Sequence, residues 1–535
     1  MTGPRVCIIG WDGADWRILH PLVERGKLPH LRDLLARARR GVLLSTLPPV
    51  TAPAWSTFLT GVNPGRHGLF TWLGPLNARL ERPLLNASHV RAPRLWDWLT
   101  QHGRRSLFLN VPMTYPPPAD FNGVLVGGML TPGTHVAFTS PREVRERLLA
   151  AIPDYQVDVE MQFTERDRTS PEGMRAHLDE VRRAAEQRVQ AWHLLWEEYG
   201  PFDLAMIVFE GPDRIQHPLY AYAVGQPPPH PDPDWETRRE WVEDTYAFLD
   251  SLLAPVLKMC EDARIFFLSD HGFGPLQWEF CANEWLAQQG WLHFKETAQL
   301  YRPLRPLAQV LKRWLPPKWF QQGKAMFTGL RALDWARTYA YSGGPMEDGI
   351  WLNVQGREPF GIVPPEQYES VRDAIISQLK EVRLPDGRPL CRGVHRREDV
   401  YHGEWVPHAA DIILELNEGV RFTSLRHPQG GIFRDVLPWG QGTHRRQGVV
   451  AVAGNGVKAG VFPSPLYMED MAPTILASMN LPIPLAHFDG RVLPDVVSNY
   501  QTGTSVEDTP RPTVAYTEEE ARFIEEHLRS LGYIE

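Results

Sequence analysis

Three short apolar runs in this chain each give way to an acid. "RVCIIGWDG" (5–13) ends on Asp12. "FDLAMIVFEGPDRIQH" (202–217) carries Asp213, with His217 four residues later, and "ARIFFLSDHG" (263–272) ends on the adjacent pair Asp270 and His271. An Asp-Gly after a strand is by itself a turn signal. It explains an acid and a glycine, but not an imidazole beside them. Three carboxylates brought together would repel one another without cations, and mixed Asp/His ligation suits Zn2+, Mn2+ or Fe better than Ca2+ or Mg2+, which prefer oxygen ligands. "TAPAWSTFLTGV" (51–62) adds a hydroxyl, Thr51, at the start of a helical pattern with Pro53 in its first turn, where proline is tolerated. Thr51 is expected to cap that helix, whose free N–H groups attract an anion such as phosphate. The remaining histidines (His30, His67, His102, His408, His427 and His487 among them) read as loop, cap or core residues.

These side chains can act together only if the elements carrying them converge. Apolar runs of this kind suit a parallel sheet covered on both faces. "ADIILEL" (410–416) and "GVVAVAG" (448–454) add two more strands, and helical patterns over 28–38, 51–62, 172–199 and 235–260 alternate with them. That alternation predicts a three-layer αβα sandwich with a mostly parallel central sheet. In such sheets ligands bind beyond the carboxyl ends of the strands, where Asp12, Asp213 and Asp270 fall. From 291 to 345 the chain turns Trp-, Pro- and Lys/Arg-rich, and 346–405 reads as a small βα unit. Residues 291–405 are therefore expected to be an inserted cap, with Trp314, Trp319, Trp335 and Trp351 as its aromatics, between core segments 1–290 and 406–497. A polar tail, 498–535, closes with a helix.

The 535 residues allow one large domain with insertions or two domains. With 43% hydrophobic and 22% charged residues the composition is that of a globular protein, and a net charge of −8 argues against general nucleic-acid binding. The four cysteines are widely spaced and form no CxxC pair, so a reducing compartment, the cytoplasm, is expected. The first strand starts by residue 5, ahead of which a charged n-region and an apolar h-region do not fit, so a signal peptide is not expected. No apolar run reaches about 18 residues, so neither a membrane span nor a membrane partner is expected.

The order of motifs resembles the alkaline phosphatase superfamily, and within it the type I phosphodiesterase / nucleotide pyrophosphatase branch, including bacterial proteins described as phosphohydrolases or phosphomutases. The residues that carry the resemblance are "GWDGAD" (10–15), "PPVTAPAWSTFLTGVNPGRHG" (48–68), "FEGPDRIQH" (209–217), "LSDHGFGPL" (268–276) and "GTHRRQG" (442–448), with a closing segment at 468–493. It covers roughly 1–290 and 400–497.

The resemblance implies two divalent ions, Zn2+ or Mn2+. One would be held by Asp213, His217 and His444. The other would be held by Asp12, Asp270, His271 and the hydroxyl of Thr51. It also implies that Thr51 is the nucleophile, that a phospho-threonine forms and is hydrolysed, and that the substrate is a small phosphodiester or nucleotide-like anhydride. A phosphomonoesterase or phosphomutase, or a silent metal-binding scaffold, are the alternatives. His444 precedes a strand and is expected to enter from a loop.

The chain departs from the pattern in two places. Nucleotide pyrophosphatases place an asparagine after "HG", where this chain has "HGLFTWLG" with Trp72 in about that position. The frame "TAPAW" lacks the Cys or Ser and the Arg that sulfatases need for formylglycine, so sulfatase activity is not expected.

Overall fold

The computed structural model describes residues 5–159, 170–228, 230–296, 329–344, 347–424, 430–436, 440–503 and 512–530. In chain order its strands begin with β1 (Val6–Trp11), β2 (Arg39–Leu44), β3 (Ser106–Val111), β4 (Gly123–Gly127), β5 (Thr139–Ser140), β6 (Leu204–Phe209), β7 (Arg264–Leu268) and β8 (Gly272–Cys281). They continue with β9 (Ala340–Tyr341), β10 (Gly349–Leu352), β11 (Cys391–Arg396), β12 (Ile412–Leu416), β13 (Gly419–Thr423) and β14 (Phe433–Asp435), and end with β15 (Gly442–Arg445), β16 (Gln447–Ala453), β17 (Gly460–Val461) and β18 (Leu466–Tyr467).

A ten-stranded sheet runs β17-β2-β16-β7-β1-β6-β3-β4-β5, with β18 also on β2. Its centre is parallel: β1 lies between β6 and β7, and β3 between β6 and β4. β16 runs antiparallel between β7 and β2.

Side chains alternate across the strands and so fill two cores. Cys7, Ile9 and Trp11 point to one face, with Ala205, Ile207, Phe209, Ile265 and Phe267. That face is covered by helices that include Trp16–Glu24, Pro29–Arg37, Pro171–Tyr199 and Trp235–Met259. Val6, Ile8, Met206, Val208, Phe266 and Leu268 point to the other, beneath the helices Thr51–Thr60, Leu95–Gln101 and Met471–Ser478. This is the expected αβα sandwich with a mostly parallel sheet. Among the described residues no helix is long and apolar enough to cross a membrane.

Two expected strands belong elsewhere or run otherwise. "ADIILEL" becomes β12, which pairs antiparallel with β10 and β11 in a separate four-stranded sheet, β11-β12-β10-β9. An apolar run fits any sheet with one covered face, so its composition does not name its sheet. "GVVAVAG" does enter the central sheet, but antiparallel. Trp335 and Trp351 are buried around the smaller sheet; Trp314 and Trp319 lie outside the described residues. The tail closes with the helix Glu518–Ser530, whose Ile524 and Leu528 are buried.

The helix carrying Thr51 lies close against β1. A Cβ on Gly10 would stand 2.7 Å from Trp55 Cη2 and 3.0 Å from Val208 Cγ2. Gly10→Ala should therefore cost about 1–3 kcal/mol through overpacking, read from urea unfolding. An unchanged midpoint would mean that the helix does not rest on β1 as described.

Candidate active site

Strand register brings the acids together. Trp11 pairs with Phe209 and Gly10 with Leu268. The residues that follow, Asp12, the turn leading to Asp213, and Asp270, therefore leave the sheet side by side, at the roughly 4.8 Å spacing of neighbouring strands. β16 runs the other way, so it begins where β7 ends. His444 sits just before it, on the short strand β15, paired with Phe273 of β8. The expectation of a loop is thus corrected: an antiparallel strand delivers its amino end to the edge where parallel strands deliver their carboxyl ends.

Asp213 opens the helix Gly211–Val224 directly after β6, and His217 follows one turn later on the same face. The result is two groups of potential ligand atoms that share Asp213. Asp213, His217 and His444 form one group, half-open at its histidines; Asp12, Asp213 and His271 form the other, wholly buried. His444 Nε2 lies 3.2 Å from Asp213 Oδ1 and 3.0 Å from His217 Nε2. His271 Nε2 lies 3.3 Å from Asp270 Oδ2 and 3.6 Å from Asp12 Oδ1. The His271 and His444 rings stack with centroids 3.6 Å apart.

Asp12 Oδ1 and Asp270 Oδ2 are buried and accept no hydrogen bond among the described residues. Buried acceptors facing imidazole nitrogens without a donor are what a cation would satisfy. The donor set therefore fits divalent ions.

Thr51 does not cap its helix. It is the first helical residue, and the cap position is Val50, which offers no side-chain acceptor. A β-extended Val50 lets the helix begin one residue earlier than expected, and Pro53 takes the third position. Thr51 Oγ1 instead lies 3.2 Å from His271 Nε2.

The charges at the site are strongly biased. Burial, with Asp270 and Asp213 adding repulsion, holds the Asp12 carboxyl well above the usual range. Burial pushes Asp270 up to about 7, although the Gly13 N–H donates to it at 3.1 Å. Gly13 has φ +69, and a Cβ there would meet the Phe273 ring at 2.8 Å, so only glycine can bring that N–H into place. Burial would raise Asp213 too, but His217, His444 and Arg214 outweigh it and hold Asp213 well below the usual range. Burial pushes His217 down to about 4 and His271 well below its ordinary value.

The structure brings all seven sequence-derived residues to one end of the sheet. It also shows support that the sequence reading missed. Trp55 Nε1 donates to Asp12 Oδ2 at 3.0 Å. Arg214 is buried, ion-paired to Asp213, and bound to Asp158 at 2.9 and 3.0 Å. Asp158 in turn meets His527 Nε2 of the C-terminal helix at 3.0 Å. The spacing of Trp55, one helical turn after Thr51, was the available signal for the first; the others are long-range and leave none. Trp72 is fully buried and packs beside Val50, Ala52 and Met113. Arg66 pairs with Asp489 at 2.8 Å.

The profile of the type I phosphodiesterase / nucleotide pyrophosphatase family matches residues 6–447. The chain belongs to this family. Its members hydrolyse phosphoric esters, and this chain is an enzyme of that class. No curated protein matches it in sequence. Among solved structures it is similar to phosphonoacetate hydrolase from Sinorhizobium meliloti 1021, with 15% identity, 88% of this chain and 95% of that one covered, and a TM-score of 0.47. It is also similar to murine ectonucleotide pyrophosphatase / phosphodiesterase 5, with 13% identity, 89% and 95% coverage and a TM-score of 0.46; that protein has also been solved in an inactive form with AMP.

For a family member whose acids are buried in this way, the metal-free protein should betray the cost. A carboxyl raised to about 7 in the folded chain, against about 3.9 when unfolded, binds more protons folded than unfolded between those values. Its contribution to stability therefore falls as pH rises from about 4 to about 7. The depressed histidines work in the opposite direction, so the effect is read as a difference. In chelator, Asp270→Asn should gain thermal stability relative to the parent as pH rises through that window. A pH-independent difference would contradict the burial of a charged Asp270.

Proposed function

We propose that the chain is a two-metal phosphodiesterase of the nucleotide pyrophosphatase type that works through a phospho-threonine on Thr51. The observation that carries this reading is the Thr51 hydroxyl 3.2 Å from His271 Nε2, on the first residue of a helix with an apolar cap position. Asp213, His217 and His444 would hold one ion, and Asp12, Asp270, His271 and the Thr51 hydroxyl the other, Zn2+ or Mn2+. Such ions, when bound, lower the pKa of a ligated hydroxyl and offset charge on phosphoryl oxygens.

The chain's own groups supply the rest. Thr51 Oγ attacks phosphorus and the bond to the leaving oxygen breaks. Free N–H groups of the first helical turn bind a phosphoryl oxygen, favoured by the helix dipole. Water then attacks the same phosphorus, the Thr51 oxygen leaves, and the hydroxyl is restored. Trp55 and Arg214 hold Asp12 and Asp213 in place, so little reorganisation accompanies the reaction. We take residues 291–405 as a cap that selects substrate, and the cytoplasm as the compartment, in keeping with four cysteines that form no disulfide.

The test compares kcat/KM for bis(p-nitrophenyl) phosphate, p-nitrophenyl phosphate and p-nitrophenyl sulfate with Zn2+ or Mn2+. The diester should lead and the sulfate should not react. Thr51→Ala should lose on the order of ten-thousandfold or more, as loss of a nucleophile does. A clear lead for the monoester would favour a phosphomonoesterase or phosphomutase. Equal rates in Thr51→Ala would remove the covalent route.

A further inference from the structure

A cleft opens beside the site, with Val50 and His444 in one wall and Asp348, Arg392, Glu415, Glu418 and Arg446 in the others. It reaches the site at Val50, the residue before Thr51, and at His444. Its guanidinium groups are paired unequally. Arg445 shares Glu418 with Arg17, at 3.0 and 2.7 Å, and Arg421 is paired with Glu279. Arg446 and Arg392 differ. Arg446, two residues after His444, donates from Nε to Ser45 O at 3.0 Å, and its two Nη atoms make no hydrogen bond or ion pair among the described residues. Arg392, exposed at the rim, makes one side-chain hydrogen bond among the described residues, to Asn417 Oδ1 at 3.3 Å, and its charge also acts on Glu418.

A third feature points the same way. Asp348 sits in the left-handed region at φ 45, a strained conformation for a residue other than glycine. Burial, then Glu347, pushes its carboxyl up to about 7, so near neutral pH it adds less than a full negative charge to the cleft wall. Two open guanidinium ends and a protonatable acid form a receptor for an anion, because fork-shaped guanidinium donors match carboxylate and phosphate oxygens.

We propose that this cleft receives the leaving part of the substrate, and that Arg446 and Arg392 select a leaving group carrying its own negative charge, a carboxylate or a second phosphate. The proposal rests on the Thr51 reading above. A neutral aryl or alkyl group would offer neither guanidinium end a charged acceptor.

The test uses the metal-loaded full chain and two methyl aryl phosphodiesters that differ only in the leaving phenol, one bearing a 3-carboxylate and the other its methyl ester. ATP, cleaved to AMP and pyrophosphate, is the third substrate. For each protein the kcat/KM of the carboxylate substrate and of ATP is divided by that of the ester, so that intrinsic reactivity cancels between parent and variant. Arg446→Met and Arg392→Met should each lower these ratios by about tenfold or more, the scale of a lost charge-assisted hydrogen bond, chiefly through KM, and Arg446→Lys should restore part of the loss. A fall in both ratios assigns the cleft to anions in general, and a fall in the ATP ratio alone assigns it to phosphate. Ratios within twofold of the parent, in variants that melt with the parent, would overturn the proposal. If Arg446→Met does not fold, the rim residue Arg392 decides. Unchanged ratios with Thr51-dependent hydrolysis would sink only the cleft assignment, whereas hydrolysis that survives Thr51→Ala would sink the reading beneath it.

Discussion

Three carboxylates, Asp12, Asp213 and Asp270, are buried together at one end of a parallel sheet, and the rest of the site depends on how their charge is managed. Removing one ionised carboxylate from water costs several kcal/mol even after relaxation. Protein groups meet part of that cost. Arg214 and two imidazoles face Asp213, Trp55 donates to Asp12, and the Gly13 N–H donates to Asp270. One oxygen of Asp12 and one of Asp270 still have no donor among the described residues. A fold that keeps such atoms out of water has kept a place for cations. The parallel register of β6, β1 and β7 makes the place, because it ends three strands level with one another.

The nucleophile's position follows from the same edge. β2 runs parallel to the central strands, since both it and β7 oppose β16, so the chain leaving β2 arrives at the same end of the sheet and starts the helix at Thr51. Val50 and Ala52, on either side of Thr51, pack in one cluster with Ile524 and Leu528 of the C-terminal helix. That helix also reaches Asp213 through His527, Asp158 and Arg214. The polar-looking tail thus braces both the hydroxyl and the acids.

Much of this was legible in the sequence, and the reasons are local. The strands β1, β6 and β7 are unbroken apolar runs, each followed by an acid, and a turn accounts for an Asp but not for the His271 beside Asp270. The helix at 51–60 shows itself by Pro53 near its start and Gly61 after its end. What was not legible depends on distance or direction. Neither the antiparallel sense of β16, which turns His444 toward the site, nor the sheet that β12 joins is encoded in an apolar run. The role of Arg214 depends on Asp158 and His527, far away in sequence. Threonine is a common cap, so the sequence alone points Thr51 to that role, and only the fold shows its hydroxyl turned to His271.

The central claim is that the buried acids and histidines hold two divalent ions, and metal content measures it directly. The chain, purified without chelator, loaded with Zn2+ or Mn2+ and desalted, should carry close to two equivalents by elemental analysis. Asp270→Ala and His444→Ala should each fall to about one. A folded parent that retains no metal, or an Asp270→Ala variant that keeps both equivalents, would contradict the account.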